Sequence, residues 1–160
     1  MGSEHSSAKK YLKKLSDTLR YMIYESNEPL IPLTNEIKYL EDYISLEKIR
    51  FDKAEEIFFE KKGRFDGYLI PPLLLLPQVE NCFKHCDSEN PEINILVRQE
   101  ESKLTLETRN KIDNGTKKEG GIGMQNLMKR LQLLHDNTFE LSQKKEGDYY
   151  HTFLSVNLDP

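Results

Sequence analysis

The sequence predicts an α+β fold, a helical hairpin followed by a sandwich of strands and helices. Three observations carry this. Apolar residues recur at helical spacing early in the chain: Leu12, Leu15, Leu19 and Met22, then Leu33, Ile37, Leu40 and Ile44. From Ile57 onward, segments alternate apolar and polar residues as strands do. One run rich in leucine and proline, Leu69 to Pro77, interrupts them. Size agrees: 160 residues make one domain, or one domain with an appended element. At 37% hydrophobic and 31% charged, the chain is globular. A net charge of −4 gives no broad basic surface, so no direct nucleic-acid partner is expected. The leucine run holds Pro71 and Pro72 and falls far short of the ~20 residues that span a bilayer. Two cysteines make no disulfide framework, which argues for a reducing compartment.

Residues 8–25 form the first predicted helix, closed by Asn27, Pro29 and Pro32. Thr34 is the expected N-cap of the second, with Leu33 and Ile37 as a hydrophobic staple, and the helix runs to about Phe51. Their stripes either cover the core of the same domain or pair with a second chain; periodicity leaves both open. Ile57 and Phe59 mark a strand. Pro71 or Pro72 fits the start of a buried helix reaching about Cys86. Residues 92–98 and 103–109 are two strands with a turn between them, and 111–123 is a polar loop with four glycines. Ile122 to Leu134 is helical again, and 138–142 with 149–157 close the chain as strands.

The chemistry concentrates in two places. Glu80, Asn81, Lys84 and His85 share one side of the leucine-run helix. An Asn oxygen is a hard ligand for Mg²⁺, which binds through few protein oxygens plus phosphates. Lys and His meet phosphate charge, and Glu can orient or deprotonate a nucleophile. A solvated helix face has the same composition, and spacing does not separate the two. The second place is Gly120-Gly121-Ile122-Gly123, where glycines let the backbone approach a ligand and a helix N-terminus offers N–H groups to phosphate. No Gly-Lys-Ser/Thr follows, so it is not a P-loop. Cys82 and Cys86 flank His85 but find no further ligands, and read as packing.

These stretches in combination resemble a family. PPLLLLPQVENCFKH is similar to the N-box helix of a histidine kinase ATPase domain, and GGIGMQNLMKRLQLLH to its G2 box. LSDTLRYMIYES followed by LTNEIKYLEDYISLEKIRF resembles the dimerisation region of the LytS/YehU-type sensor histidine kinases. The resemblance implies a Bergerat-type (GHKL) α/β sandwich with a mixed sheet over 53–160, preceded by a dimerisation-type helical hairpin over 4–52. It implies ATP and Mg²⁺ as cofactors, with Asn81 holding the metal on the phosphates. Glu80 would be the base or orienting group for the attacking histidine. Lys84 and His85 would line the nucleotide site, Gly121 and Gly123 would hinge its lid, and Asn126 and Arg130 would follow, Arg130 reaching phosphate or a surface ion pair.

Two departures qualify the resemblance. The family's adenine-binding Asp has two candidate positions here. Asp113-Asn114-Gly115 looks like the motif, but Leu104, Leu106 and Thr108 share one strand face and Asn110 comes next on it, which favours Asn110. The subfamily's Pro-His-Phe-Leu-Phe-Asn phosphoacceptor stretch is absent, and His5 lacks its context. The expectation is therefore a cytoplasmic fragment of an inner-membrane sensor kinase, homodimeric in its parent. It would bind ATP without completing its own phosphorylation, and serve a response regulator, plausibly of the LytTR type. The alternative is a degenerate module of this fold acting as a dimerisation and docking scaffold.

Overall fold

The computed structural model describes residues 2–113, 122–134 and 139–158. Helix α1 spans Gly2–Tyr24, starting earlier than its periodicity predicts because its first turns are polar and carry no stripe. Asn27 Nδ2 donates to the Ile23 carbonyl at 2.9 Å, satisfying one of the oxygens a helix end leaves open.

Helix α2, Leu33–Lys48, corrects the expected cap. Pro32 holds the N-cap position, Thr34 lies inside the helix, and no side chain caps it. The reason is a short antiparallel ladder, β1 (Ile31–Pro32) against β3 (Leu69–Ile70), invisible at its length in the sequence. It fixes the entry of the chain, and the Leu33 N–H goes to the Tyr68 carbonyl at 2.9 Å. The helix stops at Lys48, and separate turns carry the chain to Phe51.

Helix α3, Leu76–His85, begins later than the prolines predict. Pro77 occupies its first turn, and Pro71 to Leu75 form a turn in which Leu73 takes φ +57. The Leu73, Leu74 and Leu75 N–H groups all donate to the Glu36 carboxylate of α2. A side chain from elsewhere in the chain holds those donors, so helix bonding starts only at Leu76.

The sheet has the order β2-β4-β5-β7-β6. Its members are β2 (Ile57–Lys62), β4 (Ile93–Glu100), β5 (Lys103–Lys111), β6 (Phe139–Glu146) and β7 (Tyr149–Asn157). β2 pairs parallel with β4, and the other pairs are antiparallel, which makes the sheet mixed. β6 is longer than predicted and meets β7 across a turn at Gly147–Asp148, because the charged residues Lys144, Lys145 and Glu146 belong to a solvent-facing edge strand.

Alternation sends Ile93, Ile95 and Val97, Leu104 and Leu106, and Leu154 and Val156 inward. They meet Val79, Cys82 and Phe83 of α3, and Met124, Leu127 and Leu131 of α4, Ile122–Leu134. Burying each such side chain contributes about 1.5–3 kcal/mol. The two hairpin helices part company here. α2's stripe, Leu33, Ile37, Leu40 and Ile44, lies in this same core. α1's stripe, Leu12, Leu15, Leu19 and Met22, stays exposed. Tyr21 stacks on Tyr39 with ring centroids 4.2 Å apart. Asn35 donates to Glu25 at 3.3 Å at one end of the pair, and Lys10 and Lys14 lie beside Ser45 and Lys48 at the other, so α1 and α2 run antiparallel.

Candidate functional site

The C-terminus of α3 is joined to the end of β5. Cys86 and Ile112 form an antiparallel bridge, Asp87 N–H donates to Lys111 O at 3.0 Å, and Asp113 N–H reaches His85 O at 3.5 Å. Ile112 N–H donates to Asp148 O at 2.8 Å, tying in the β6–β7 turn. These bonds bring the polar end of the helix against the end of the inward row of β5.

The four helix residues divide over that arrangement. Glu80 and Lys84 are exposed and line a crevice of about 450 Å³ with Tyr43, Arg50 and Phe83. They face α2 and its C-terminal turn. Partial burial pushes the Glu80 carboxyl above its ordinary value, the Lys84 ammonium opposes this, and the Glu47 charge adds to it. Asn81 and His85 are half-buried. The single polar face predicted for all four is thus an arc whose Glu80–Lys84 side belongs to the crevice.

Asn110 is 1% exposed, at the end of the inward row of β5, and its Nδ2 donates to Lys111 O at 3.0 Å. Asp113 lies beyond the strand and is exposed. Gly123 and Asn126 are exposed in the first turns of α4. Arg130 donates from Nη1 to the Pro72 carbonyl at 2.9 Å, tying α4 to the turn before α3. Gly121 lies outside the described residues, as do Gly120, Asn114, Gly115 and His135. His151 sits on β7, 3.6 Å from Glu146.

Two polar residues of the interior, Gln78 and Thr152, escaped the sequence reading, and both join the inward Thr108. Gln78 of α3 donates to Thr152 Oγ1 at 3.1 Å, and Thr152 Oγ1 lies 2.5 Å from Thr108 Oγ1. Thr152 precedes Leu154 and Val156 on the inward row of β7, so its parity was legible. Gln78 carried no signal, being one polar letter in an apolar run. A groove of about 610 Å³ on the sheet's other face, lined by Phe58, Leu96, Arg109 and Phe153 among others, includes none of the predicted site residues. Cys82 and Cys86 are buried and form no disulfide, and burial lifts Cys86 to about 11, which keeps it protonated. Among the described residues, no three His, Cys, Asp or Glu side chains converge as a metal site.

Comparisons with known proteins converge on one family. The family model described as Histidine kinase matches residues 1–55. An uncharacterized sensor-like histidine kinase of Staphylococcus epidermidis is 30% identical over 134 residues, covering 83% of this chain and 25% of that protein. The sensor protein LytS of Enterococcus faecalis is 26% identical over 150 residues, covering 92% and 23%. The chain thus spans about a quarter of the length of the curated relatives it matches. Among solved structures, the catalytic domain of histidine kinase ThkA superposes with a TM-score of 0.54 at 14% identity, over 80% of this chain and 94% of that one. The Acinetobacter baumannii histidine kinase AdeS gives 0.57 at 11% identity, over 97% and 79%. The sequence is thus similar to sensor histidine kinases, and its sandwich has the GHKL-type fold of histidine kinase catalytic domains.

Proposed function

We propose that this chain is the ATP-binding, phosphoryl-donating part of a two-component sensor kinase. The γ-phosphate of ATP would pass to a histidine and then to an aspartate of a response regulator, plausibly of the LytTR type. The observation that carries the reading is Asn110. A carboxamide 1% exposed, with its nitrogen held by a backbone carbonyl, presents an oxygen suited to the amine of adenine. An amide oxygen lacks the charge of the family's usual Asp, so the contact is weaker but of the same kind.

The residues present fit a magnesium nucleotide. Asn81, half-buried one helical turn before His85, would give the metal its amide oxygen. Bound Mg²⁺ would neutralise phosphate charge. Lys84, His85 and the N-terminus of α4 would meet the phosphates. Glu80, with its raised affinity for a proton, is suited to take one from the attacking imidazole. Its place beside α2, in the hairpin that would dimerise, supports that role. The exposed α1 stripe supports a homodimer formed through α1, with Leu12 66% and Ile23 60% exposed.

Thermal unfolding with Mg²⁺-ATP, with GTP as control, tests the reading. A ligand at 100 times its Kd adds about 2.7 kcal/mol, an upward shift of roughly 5–10 °C. That shift with ATP only is the expected result. No shift at millimolar ATP would sink the reading in favour of a docking scaffold.

A further inference from the structure

Gln78 has no exposed surface, and its two ends are treated differently. Nε2 donates to Thr152, whereas Oε1 is buried with no hydrogen-bond partner. An open buried acceptor costs stability, and Leu or Met would fill the same volume without that cost. Packing therefore gives no reason for a glutamine here. Its neighbours point to a ligand. Thr152 contacts Thr108, and Thr108 and Asn110 are consecutive inward positions of β5, about 7 Å apart along the strand. Asn110 is oriented in the same sense, with its nitrogen tied to Lys111 O. Two interior carboxamides thus have their donors held by the protein and their oxygens turned elsewhere.

We infer that Gln78 is a specificity-determining residue of the nucleotide site. Its Oε1 accepts, through one ordered water, a proton of the base amine that Asn110 contacts directly. This rests on the ATP reading above. The water follows from depth: Gln78 sits at the Thr108–Thr152 row, one side-chain row further in than Asn110. There the threonine hydroxyls and Oε1 supply the two to four partners that a buried water needs. With Oε1 and a threonine oxygen taking both of its hydrogens, the water turns a lone pair to the base, and a 6-amino purine donates to that water and to Asn110. A 6-oxo purine sets its acceptor against the water's lone pair and the Asn110 oxygen and is repelled.

The test is calorimetric binding of ADP, GDP and N6-methyl-ADP to the wild type, Gln78→Met and Asn110→Ala. Gln78→Met is expected to fold with unchanged or higher melting temperature, to bind ADP about tenfold more weakly and to leave GDP unweakened. N6-methylation is expected to weaken binding to the wild type, and less so to Gln78→Met. A wild-type ADP-to-GDP ratio in Gln78→Met overturns the role, since a purely structural glutamine would move stability alone. Should that variant not fold, equal binding of ADP and N6-methyl-ADP by the wild type overturns it as well. ADP binding lost in Asn110→Ala but intact in Gln78→Met removes Gln78 and leaves the ATP site standing. A wild type that binds no nucleotide removes both.

Discussion

The Glu36 carboxylate in α2 accepts the hydroxyl of Tyr21 in α1, inside the protein. The same carboxylate accepts the N–H groups of Leu73, Leu74 and Leu75 at 3.1, 2.9 and 3.2 Å. Burial pushes its pKa upward, and its donors oppose the shift. One side chain thus links both hairpin helices to the turn that opens α3. Glu36→Gln would leave these donors one oxygen and turn an NH₂ toward the rest. The expected loss is about 2 kcal/mol or more, roughly a 4–8 °C fall in Tm. Tyr21→Phe should cost about 1.5 kcal/mol. The double variant should lose less than the sum, because both remove the same bond.

Carboxyl NMR should find Glu80 titrating above 4.5, the ordinary glutamate value, because burial disfavours its charged form. Lys84→Met should raise its midpoint further, and Glu47→Gln should lower it, since those charges act in opposite senses. With the folded-state value raised, its contribution to stability is complete below 4.5 and is lost as pH rises through the raised value. A Lys84→Met midpoint that falls would contradict this arrangement.

Asn81→Ala should keep the fold, since Asn81 is absent from the buried core. It should remove the Mg²⁺ dependence of nucleotide binding. Chelation by EDTA is expected to weaken ADP binding by the wild type and to have no effect on the variant.

Arg130→Met removes the bond between α4 and the Pro72 carbonyl. The side chain is exposed, so the global cost is about 1 kcal/mol or less. The local effect is larger. Amide hydrogen exchange in α4 should accelerate while β5 and β7 stay protected.

Two glycines separate backbone strain from collision. A Cβ on Gly63, at φ +105, would stand 2.1 Å from the Gln99 carbonyl oxygen, whereas one on Gly67, at φ +86, meets nothing within 4 Å. Gly67→Ala should cost only the left-handed conformation, about 1–2 kcal/mol. Gly63→Ala should cost more, about 3 kcal/mol or above. Equal losses in chemical denaturation would show that the chain relaxes around Gly63.

The elements that were legible are those whose apolar pattern faces the core. α2, α3, β4, β5 and β7 are plain in the sequence because alternation or helical spacing records which side of Ile37, Val79, Ile95, Leu106 or Leu154 is buried. The inward row of β5 also located Asn110. What stayed hidden depends on partners far along the chain. The start of α3 is set by Glu36, the entry of α2 by β3, and the end of β6 by an edge whose charged residues look like a loop. The division of Glu80 and Lys84 from Asn81 and His85 followed from where α2 packs, which no local spacing encodes. Gln78 was hidden by its neighbours, because a single polar residue in a leucine run is read as tolerance unless its bonds are seen.

The parallel pairing of β2 with β4 implies an order of assembly. Ile57 lies opposite Ile93, and β3 and α3 both fall between them in the chain. Contacts within the β4–β5 and β6–β7 hairpins close over much shorter separations, across two tight turns, whereas β5 meets β7 only across the α4 connection. Loop-closure entropy therefore favours the two hairpins as early structure, with the parallel β2–β4 seam and the β5–β7 seam closing afterwards. Substitutions in β2 should then chiefly accelerate unfolding, while those at Leu106 or Leu154 slow refolding. The edge strand next to the hairpin, held by one partner only, would be among the late parts of the sheet to join and the first to leave.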